Sequence, residues 1–286
     1  MIYTYGVSMA GTYHIKQNIV CQDYFKIMKI DKNLVVAAVA DGLGSAEFSD
    51  IGSNIAASVA TEHCRNHINI KTPTHEIPGI IRTAFAAAQT AIEHAAKNES
   101  RQLEKYDTTL SLAVLVHDTL YYGHSGDSGM IALTARGRFE QVTTQQRDEE
   151  GRVFPLFFTE KWIFGQYPEK VASVLLATDG MLETFFPFYI RNEPVKIHVA
   201  LAQFYMDNIK IHIEKHGEEA VRSHMEKIIQ SIPDTQVSDD KTIAVLINPS
   251  VKVKRQQKAY YQEPDWAELK RKHDEEWRKL AYPGLR

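Results

Sequence analysis

Apolar residues occur along the chain in short runs that end at acidic residues. The clearest run, residues 34–40, is unbroken, rich in valine and followed by Asp41-Gly42. Its length and composition predict a β-strand that is buried on both faces. Small and apolar residues then recur at helical spacing, which predicts a helix over residues 49–68. A carboxylate and a backbone carbonyl would thus stand at the end of a rigid strand, where they can hold a hard cation.

Two later runs repeat the arrangement: residues 174–178 lead into Asp179-Gly180, and Asp239-Asp240 stands directly before residues 242–247. A lone Asp-Gly pair is typical of a turn and needs no ligand to explain it. Acids at the ends of several strands, however, can converge at one edge of a sheet system. There they would repel one another unless a metal ion neutralised them.

The rest of the pattern predicts an α+β fold. Further strands are predicted at residues 2–9, 23–30, 108–116, 120–124 and 130–134, with a last strand at 242–248 and helices at 80–97 and across most of 194–231. The strands form antiparallel pairs and the helices also come in pairs, which favours a layered sheet core over a doubly wound sheet. Residues 11–22 are predicted to be a polar loop. The irregular segment 135–170 is long enough to be a functional flap or lid.

Composition narrows the setting of the protein. A net charge of −3 over 286 residues gives no support to nucleic-acid binding. Two cysteines, Cys21 and Cys64, do not make a disulfide framework and favour a reducing compartment. The N-terminus does not have the pattern of a signal peptide, and no window is apolar enough to span a membrane. We therefore expect a cytoplasmic protein that binds neither nucleic acid nor membranes.

The composition changes after Pro249-Ser250, which predicts a main domain of residues 1–249 and a charged helical extension of residues 250–286. Residues 251–286 carry ten Lys and Arg against six Asp and Glu. Asp265, with Glu268 three residues later, resembles a helix N-cap. One stripe of the following helix would hold Trp266, Leu269, His273, Trp277 and Leu280. Docking on its own domain and binding of a partner protein are both open for this helix.

The acids that adjoin strand ends are all aspartates: Asp23, Asp41, Asp127, Asp179 and Asp239. Oxygen ligands of this kind suit Mg²⁺ or Mn²⁺ and suit zinc or copper poorly. Two such ions about 3.5–4 Å apart can activate a water molecule and bind phosphate oxygens. Phosphoester hydrolysis is the reaction class that best fits two such ions and an activated water molecule. The alternative, five separate solvated turn residues, leaves the clustered negative charge unexplained.

Six short motifs occur in an order that a known family shares: Gln22-Asp23, residues 39–45 with Asp41-Gly42, Asp107-Thr108-Thr109, Gly126-Asp127-Ser128, residues 177–180 with Asp179-Gly180, and residues 238–242 with Asp239. Through them the chain resembles the metal-dependent protein phosphatases, the PPM family of type-2C Ser/Thr phosphatases, and most of all its bacterial branch. The resemblance covers residues 4–248. Each motif alone is weak, but six in order at plausible spacing are specific.

The resemblance implies a four-layer α-β-β-α sandwich, in which two antiparallel sheets are flanked by helix pairs and enclose a dinuclear metal centre. Residues 1–249 would be the phosphatase catalytic domain. By position, Asp41 would bridge both metals and the carbonyl of Gly42 would bind the second. Asp179 and Asp239 would bind the first metal, and Asp23 would hold a metal-bound water.

Two further assignments follow from the resemblance. The last acidic ligand of the family stands three residues before a Thr or Ser, so Thr242 selects Asp239, with Asp240 as the fallback. Asp127 and Glu183 match the positions at which relatives place a third, weaker metal.

The chain also departs from the family pattern. Asn18 stands where many relatives have an arginine that grips the substrate phosphate, and His14 and Lys16 are the nearby candidates for that task. Leu43 replaces a histidine that some relatives use as a general acid. Gly129 replaces an arginine. None of these departures removes a core metal ligand.

The resemblance implies a Ser/Thr phosphoprotein phosphatase of bacterial signalling that uses two Mn²⁺ or Mg²⁺ ions per chain and a water nucleophile. Its substrates would be phosphorylated proteins, and a cognate kinase or another partner protein would bind the C-terminal helix. The alternative is a catalytically weak phosphoprotein-binding or regulatory module on the same fold. The missing phosphate-binding arginine and the basic, tryptophan-bearing tail keep this alternative open, and metal binding distinguishes the two.

Overall fold

The computed structural model describes residues 1–281 of the chain, which contain ten strands and eight α-helices. The strands are β1 (Tyr3–Met9), β2 (Tyr24–Asp31), β3 (Leu34–Ala40), β4 (Leu110–Val116), β5 (Thr119–Ser125), β6 (Gly129–Thr134), β7 (Phe139–Gln141), β8 (Ile163–Gln166), β9 (Val171–Ala177) and β10 (Lys241–Ile247). The helices are α1 (Thr12–Gln17), α2 (Ser49–His67), α3 (Ile77–Asn98), α4 (Asp179–Phe185), α5 (Val199–Gln203), α6 (Ile209–His216), α7 (Glu218–Gln230) and α8 (Trp266–Ala281). A π-helical segment, Phe204–Asn208, joins α5 to α6.

The strands form two five-stranded sheets in which every pairing is antiparallel. The order is β1-β10-β9-β6-β7 in sheet A and β2-β3-β4-β5-β8 in sheet B. Helices α2 and α3 pack on the outer face of sheet B, and α4 to α7 pack on the outer face of sheet A. The α+β class and the four-layer α-β-β-α sandwich are therefore confirmed.

Alternation along β3 shows how the layers are held together. Val35, Ala37 and Val39 point into the apolar layer between the sheets, whereas Val36 and Ala38 point towards α2 and α3. All seven residues of the strand are fully buried, as the unbroken apolar run predicted. Each fully buried valine contributes on the order of 1.5–3 kcal/mol, so the strand is a rigid support for the residues at its end.

Both sheets end at the same edge of the sandwich. In sheet A, the end of β9 lies beside the start of β10, with Ala177 paired to Ile243, and beside the start of β6, with Ala177 paired to Gly129. In sheet B, the end of β3 lies beside the start of β2, with Ala40 paired to Tyr24. The residues just outside these strand ends are brought together by the antiparallel pairing.

The structure differs from the predicted elements in three places. The segment predicted as a polar loop contains the short helix α1, which ends at Asn18 in the left-handed conformation. Helix α3 begins at Ile77 instead of residue 80, because Pro78 fits the first turn, where no backbone N–H is needed. The segment 135–170 is not wholly irregular, since β7 and β8 extend one sheet each.

The residues after β10 return to the body of the protein. Lys254 donates its backbone N–H to Ala135, and the Tyr260 hydroxyl accepts a hydrogen bond from the backbone N–H of Phe139. The predicted N-cap of α8 is present, because Asp265 accepts a hydrogen bond of 3.0 Å from the N–H of Glu268. None of the helices within residues 1–281 is long and apolar enough to cross a membrane.

Candidate metal centre

The shared sheet edge carries the five aspartates that the sequence singled out. Sheet A contributes one acid after β9 and one before each of β10 and β6, and sheet B contributes one before β2 and one after β3. They are Asp179, Asp239, Asp127, Asp23 and Asp41 respectively. The fold therefore turns acids from five distant stretches of chain into one site.

Three of these carboxylates form a tight cluster. Asp41, Asp127 and Asp179 each offer an oxygen within 4.8 Å of the others. Removal from water raises the pKa of Asp41 well above its usual value, and the charges of Asp23, Asp179 and Asp127 raise it further. Burial raises the pKa of Asp127, and the negative charge of Asp179 adds to this effect, so that the pKa is about 7. Oxygen donors that repel one another in this way fit divalent hard cations, whose charge would remove the repulsion.

The backbone of Asp41 is fixed by two threonines of sheet B. Its N–H donates to Thr109 Oγ1 at 3.0 Å, and its carbonyl accepts from Thr109 N at 2.8 Å and from Thr108 Oγ1 at 2.9 Å. This explains why Asp107-Thr108-Thr109 belongs to the motif set although it lies far from Asp41 in sequence. The threonines hold the turn after β3 in one position.

Gly42 is required at its position by crowding. A Cβ atom there would lie 2.6 Å from the carbonyl oxygen of Gln22 and 2.7 Å from that of Ser49. Both neighbours are backbone atoms, so they cannot rotate away. The Gly42 N–H donates to the same Gln22 carbonyl at 3.1 Å, which ties the turn after β3 to the segment before β2.

Asp23 links the two sheets. It is buried, and its Oδ2 accepts a hydrogen bond of 2.6 Å from Thr178 Oγ1, at the end of β9. Burial and then the charge of Asp240 raise the pKa of Asp23 well above its usual value, while the bond from Thr178 opposes that rise.

Asp239 and Asp240 have different environments. Asp240 is buried, and its two oxygens accept hydrogen bonds from Gly11 N at 2.7 Å, His14 Nδ1 at 2.8 Å and Gln22 N at 2.6 Å. Asp239 is exposed at the cavity wall, and its Oδ1 accepts from the N–H of Asp240 at 2.8 Å. The geometry thus favours Asp239 as the ligand and gives Asp240 the task of holding α1 and the segment before β2.

The two candidate phosphate-binding residues lie in different places. His14 is buried, lines the cavity and bonds Asp240 through Nδ1, so Nε2 remains for another partner. Lys16 does not reach the cavity: its ammonium pairs with Asp234, 3.1 Å away, and its side chain is 69% exposed. The structure therefore brings His14 to the site and leaves Lys16 on the surface.

Arg147 also reaches the cluster, although no pattern in the sequence points to it. Its Nη2 lies 2.7 Å from Asp127 Oδ2, 3.1 Å from Asp179 Oδ2 and 4.0 Å from Glu183 Oε1. Asp127 and Glu183 thus both lie within 4.0 Å of one guanidinium nitrogen. A lone arginine in a segment without clear periodicity carries no local signature, so only the fold could place it.

A cavity of about 270 Å³ opens at this edge of the sandwich. It is lined by acids of both sheets together with Tyr13, His14, Gln22 and residues 42–44. The carboxamide oxygen of Gln22 is buried without a hydrogen-bond partner among the described residues, which adds a further oxygen donor at the wall. The site can hold hard cations on one side and a small anionic group in front of them.

Comparison with known proteins gives one family and one fold. A family model described as "Protein phosphatase 2C" matches residues 10–231. No curated protein matches the chain by sequence.

Several solved structures share the fold at low sequence identity. A bacterial serine phosphatase variant superposes with a TM-score of 0.60 at 14% identity, over 90% of this chain and 100% of that chain. The Ser/Thr phosphatase Stp1 from Staphylococcus aureus gives 0.54 at 16% identity, over 86% of this chain and 95% of that chain. The catalytic domain of the phosphatase PstP, solved with two manganese ions, gives 0.52 at 18% identity, over 86% and 97%.

Proposed function

The chain belongs to the protein phosphatase 2C family, and from this we propose that it hydrolyses phosphoserine and phosphothreonine esters in protein substrates with two Mn²⁺ or Mg²⁺ ions. The observation that carries the proposal is the meeting of five aspartates from both sheets at one open cavity. The three acids of the tight cluster face one guanidinium within the described residues, so their negative charge exceeds the local positive charge.

We assign the cation ligands from the placement of the side chains. Asp41, at the end of sheet B, faces the acids of sheet A and is the residue able to contact two ions. Asp179, Asp239 and the carbonyl of Gly42 complete the oxygen set. Bound divalent ions supply a nucleophilic water near neutral pH and neutralise phosphate charge. Asp23, whose Oδ2 accepts a hydrogen bond from Thr178, would hold a metal-bound water.

The remaining chemistry belongs to residues of the cavity wall. His14 lines the cavity and its Nδ1 is held by Asp240, so we assign its other ring nitrogen, Nε2, to the substrate phosphate. No arginine occupies the position of Asn18, whose left-handed backbone (φ 57°) ends α1 instead. A single imidazole binds phosphate through one hydrogen bond, whereas an arginine would use two.

The proposal is tested by phosphate release from p-nitrophenyl phosphate and from a phosphothreonine peptide, with and without Mn²⁺. Asp41→Asn and Asp179→Asn should each lower metal-dependent turnover by about 100-fold or more, because each removes a ligand charge. Asp118→Asn is the matched control, since Asp118 pairs with Lys170 on the surface at 2.6 Å. Absence of turnover in the folded wild type with every metal would favour the regulatory module instead.

We also propose that residues 250–286 extend the catalytic domain of residues 1–249 and present α8 to a partner protein, for example a cognate kinase. The first half of α8 packs on its own domain, where Trp266 contacts Tyr189 and His198. Leu280 at the far end is 82% exposed. Cross-linking from position 280 to a kinase in cells would support this, whereas cross-links confined to the domain itself would contradict it.

A further inference from the structure

We propose that Arg147 is a fixed internal cation that occupies the place of a third divalent ion between Asp127 and Glu183, so that the chain binds two ions and not three. This inference rests on the proposed function, because it concerns the same acidic site. It starts from one guanidinium nitrogen, Nη2, that contacts Asp127 and Asp179 and lies within 4.0 Å of Glu183.

The position of Arg147 is set by the backbone of its neighbour. Gln146 donates its N–H to the Gly126 carbonyl at 2.8 Å and accepts the Gly126 N–H on Oε1 at 2.9 Å. Its carboxamide nitrogen donates to the carbonyl of Lys161 at 2.8 Å. Gly126 directly precedes Asp127, so these two hydrogen bonds between Gln146 and Gly126 align residue 147 with the acid that it contacts.

The turn at Gly126 cannot easily move away. Gly126 has φ +101°, and a Cβ there would lie 2.4 Å from Thr109 Cγ2. On the other side, Arg147 pairs with Val153 in an antiparallel bridge, and the N–H of Phe154 donates to the Gln146 carbonyl at 3.2 Å. The guanidinium is therefore presented by a segment bonded on both sides and not by a freely moving loop.

Charge makes the arginine and a third ion mutually exclusive. The Asp127 side chain is 3% exposed, and Arg147 Nη2 already lies 2.7 Å from its Oδ2. A guanidinium remains protonated at any pH that the fold survives. A divalent ion bound to the same carboxylate would lie a few ångströms from this positive charge in a poorly solvated place, where repulsion is strong. At Asp179 the contact is longer, 3.1 Å, and the side chain is 23% exposed, so water screens the repulsion between the guanidinium and an ion bound there.

The arrangement also keeps the acids in place. Arg147 bridges Asp127, before β6, and Asp179, after β9, so it holds two acid-bearing ends of sheet A at a constant separation. Arg147 is thus a positioning residue that acts through Asp127 and Asp179.

The test is a count of Mn²⁺ bound per chain to the metal-stripped full-length protein, by electron paramagnetic resonance and by calorimetry. Wild type should bind two ions, and Arg147→Gln should bind a third, weaker one. Arg147→Lys keeps the charge and should remain at two. The double variant Arg147→Gln/Asp127→Asn should lose the additional ion, since it removes the carboxylate that would hold it.

Arg152→Gln is the matched control on the same segment, because Arg152 pairs with Asp148 and Glu150. It should leave the count at two. Three ions in wild type, or two in Arg147→Gln, would overturn the inference. Metal-dependent turnover of the wild type would still support the proposed function in that case. A wild-type protein that binds no Mn²⁺ would overturn the proposed function and this inference together.

Discussion

Thr178 and Asp23 form a hydrogen bond of 2.6 Å between the two sheets of the sandwich. Thr178 directly follows β9 of sheet A, and Asp23 directly precedes β2 of sheet B. Both are buried. A carboxylate that belongs to one sheet is thereby oriented by a hydroxyl that belongs to the other, at the edge where the acids meet. The bond couples the relative position of the sheets to the geometry of the site.

Replacement of this threonine should cost both stability and activity. Thr178→Val keeps the shape but leaves the buried Asp23 oxygen without its donor, which should lower the unfolding free energy by about 1–3 kcal/mol. The measurement is urea unfolding of the metal-free protein. Thr61→Val is a matched control, because Thr61 is buried but bonds only carbonyls of its own helix, Ala57 and Ser58. An equal loss in both variants would contradict the assigned role of Thr178.

The two glycines after Asp41 should differ in their tolerance of a methyl group. Gly42→Ala places Cβ against two backbone oxygens and must shift the turn, whereas Cβ at Gly44 would find its nearest neighbour at 4.0 Å. Since small displacements of catalytic groups are costly, Gly42→Ala should lower turnover by about 10- to 100-fold. Gly44→Ala should stay close to wild type. Steady-state hydrolysis of a phosphothreonine peptide decides this, and equal activity of both variants would refute it.

His14 and Lys16 should have separable effects on substrate binding. His14→Gln removes the imidazole at the cavity wall and should raise KM for the phosphopeptide by about tenfold, the size of one lost charge-assisted hydrogen bond. Lys16→Gln should leave KM unchanged, because its ammonium pairs with Asp234 at the surface. Thermal unfolding of both variants checks that the fold persists. A rise in KM for Lys16→Gln but not for His14→Gln would show that Lys16, and not His14, binds the substrate phosphate.

Metal binding should depend on pH in a defined direction. In the metal-free protein, the pKa of Asp127 is about 7 in the folded chain against an ordinary value of 3.8, and that of Asp41 is also raised. The folded state therefore holds more protons than the unfolded state across this interval. The stability that Asp127 contributes is present at low pH and is lost as pH rises from about 4 to 7, by up to ~1.4 kcal/mol per pH unit, and the raised pKa of Asp41 acts in the same direction.

Mn²⁺ bound at Asp41 must displace the proton of that carboxyl, and its charge must lower the pKa of the neighbouring Asp127, so Mn²⁺ should stabilise the fold more at pH 8 than at pH 6. Thermal unfolding with Mn²⁺ and with a chelator at the two pH values measures the increment in Tm. An increment that is the same or larger at pH 6 would contradict the assignment of Asp41 to the metal centre.

Much of the fold was predictable because buried segments are recognisable in the sequence by their runs of apolar residues. The run at residues 34–40 predicted β3 without error, since a strand that is covered on both faces has no polar positions to interrupt it. Antiparallel pairing then explains why acids at five strand ends meet. The start of α3 was harder to predict from the sequence, because Pro78 and Gly79 interrupt the apolar periodicity of its first turn.

The site was predictable as a set of aspartates but not in its contacts. The choice between Asp239 and Asp240 depends on three hydrogen bonds from residues more than 200 positions away, which no local pattern encodes. The same holds for Lys16, whose partner Asp234 lies at the other end of the chain. The position of Arg147 depends on two hydrogen bonds between Gln146 and Gly126, so it could be found only in the folded molecule.

A single titration decides whether two ions held at the sheet edge drive hydrolysis. Mn²⁺ is added to the metal-stripped protein while bound Mn²⁺ and phosphate release from a phosphothreonine peptide are measured on the same sample. We predict that release rises with binding of the second ion and is absent in Asp239→Asn at the same Mn²⁺ concentration. Phosphate release by the metal-free protein, or none with two ions bound, would contradict the account.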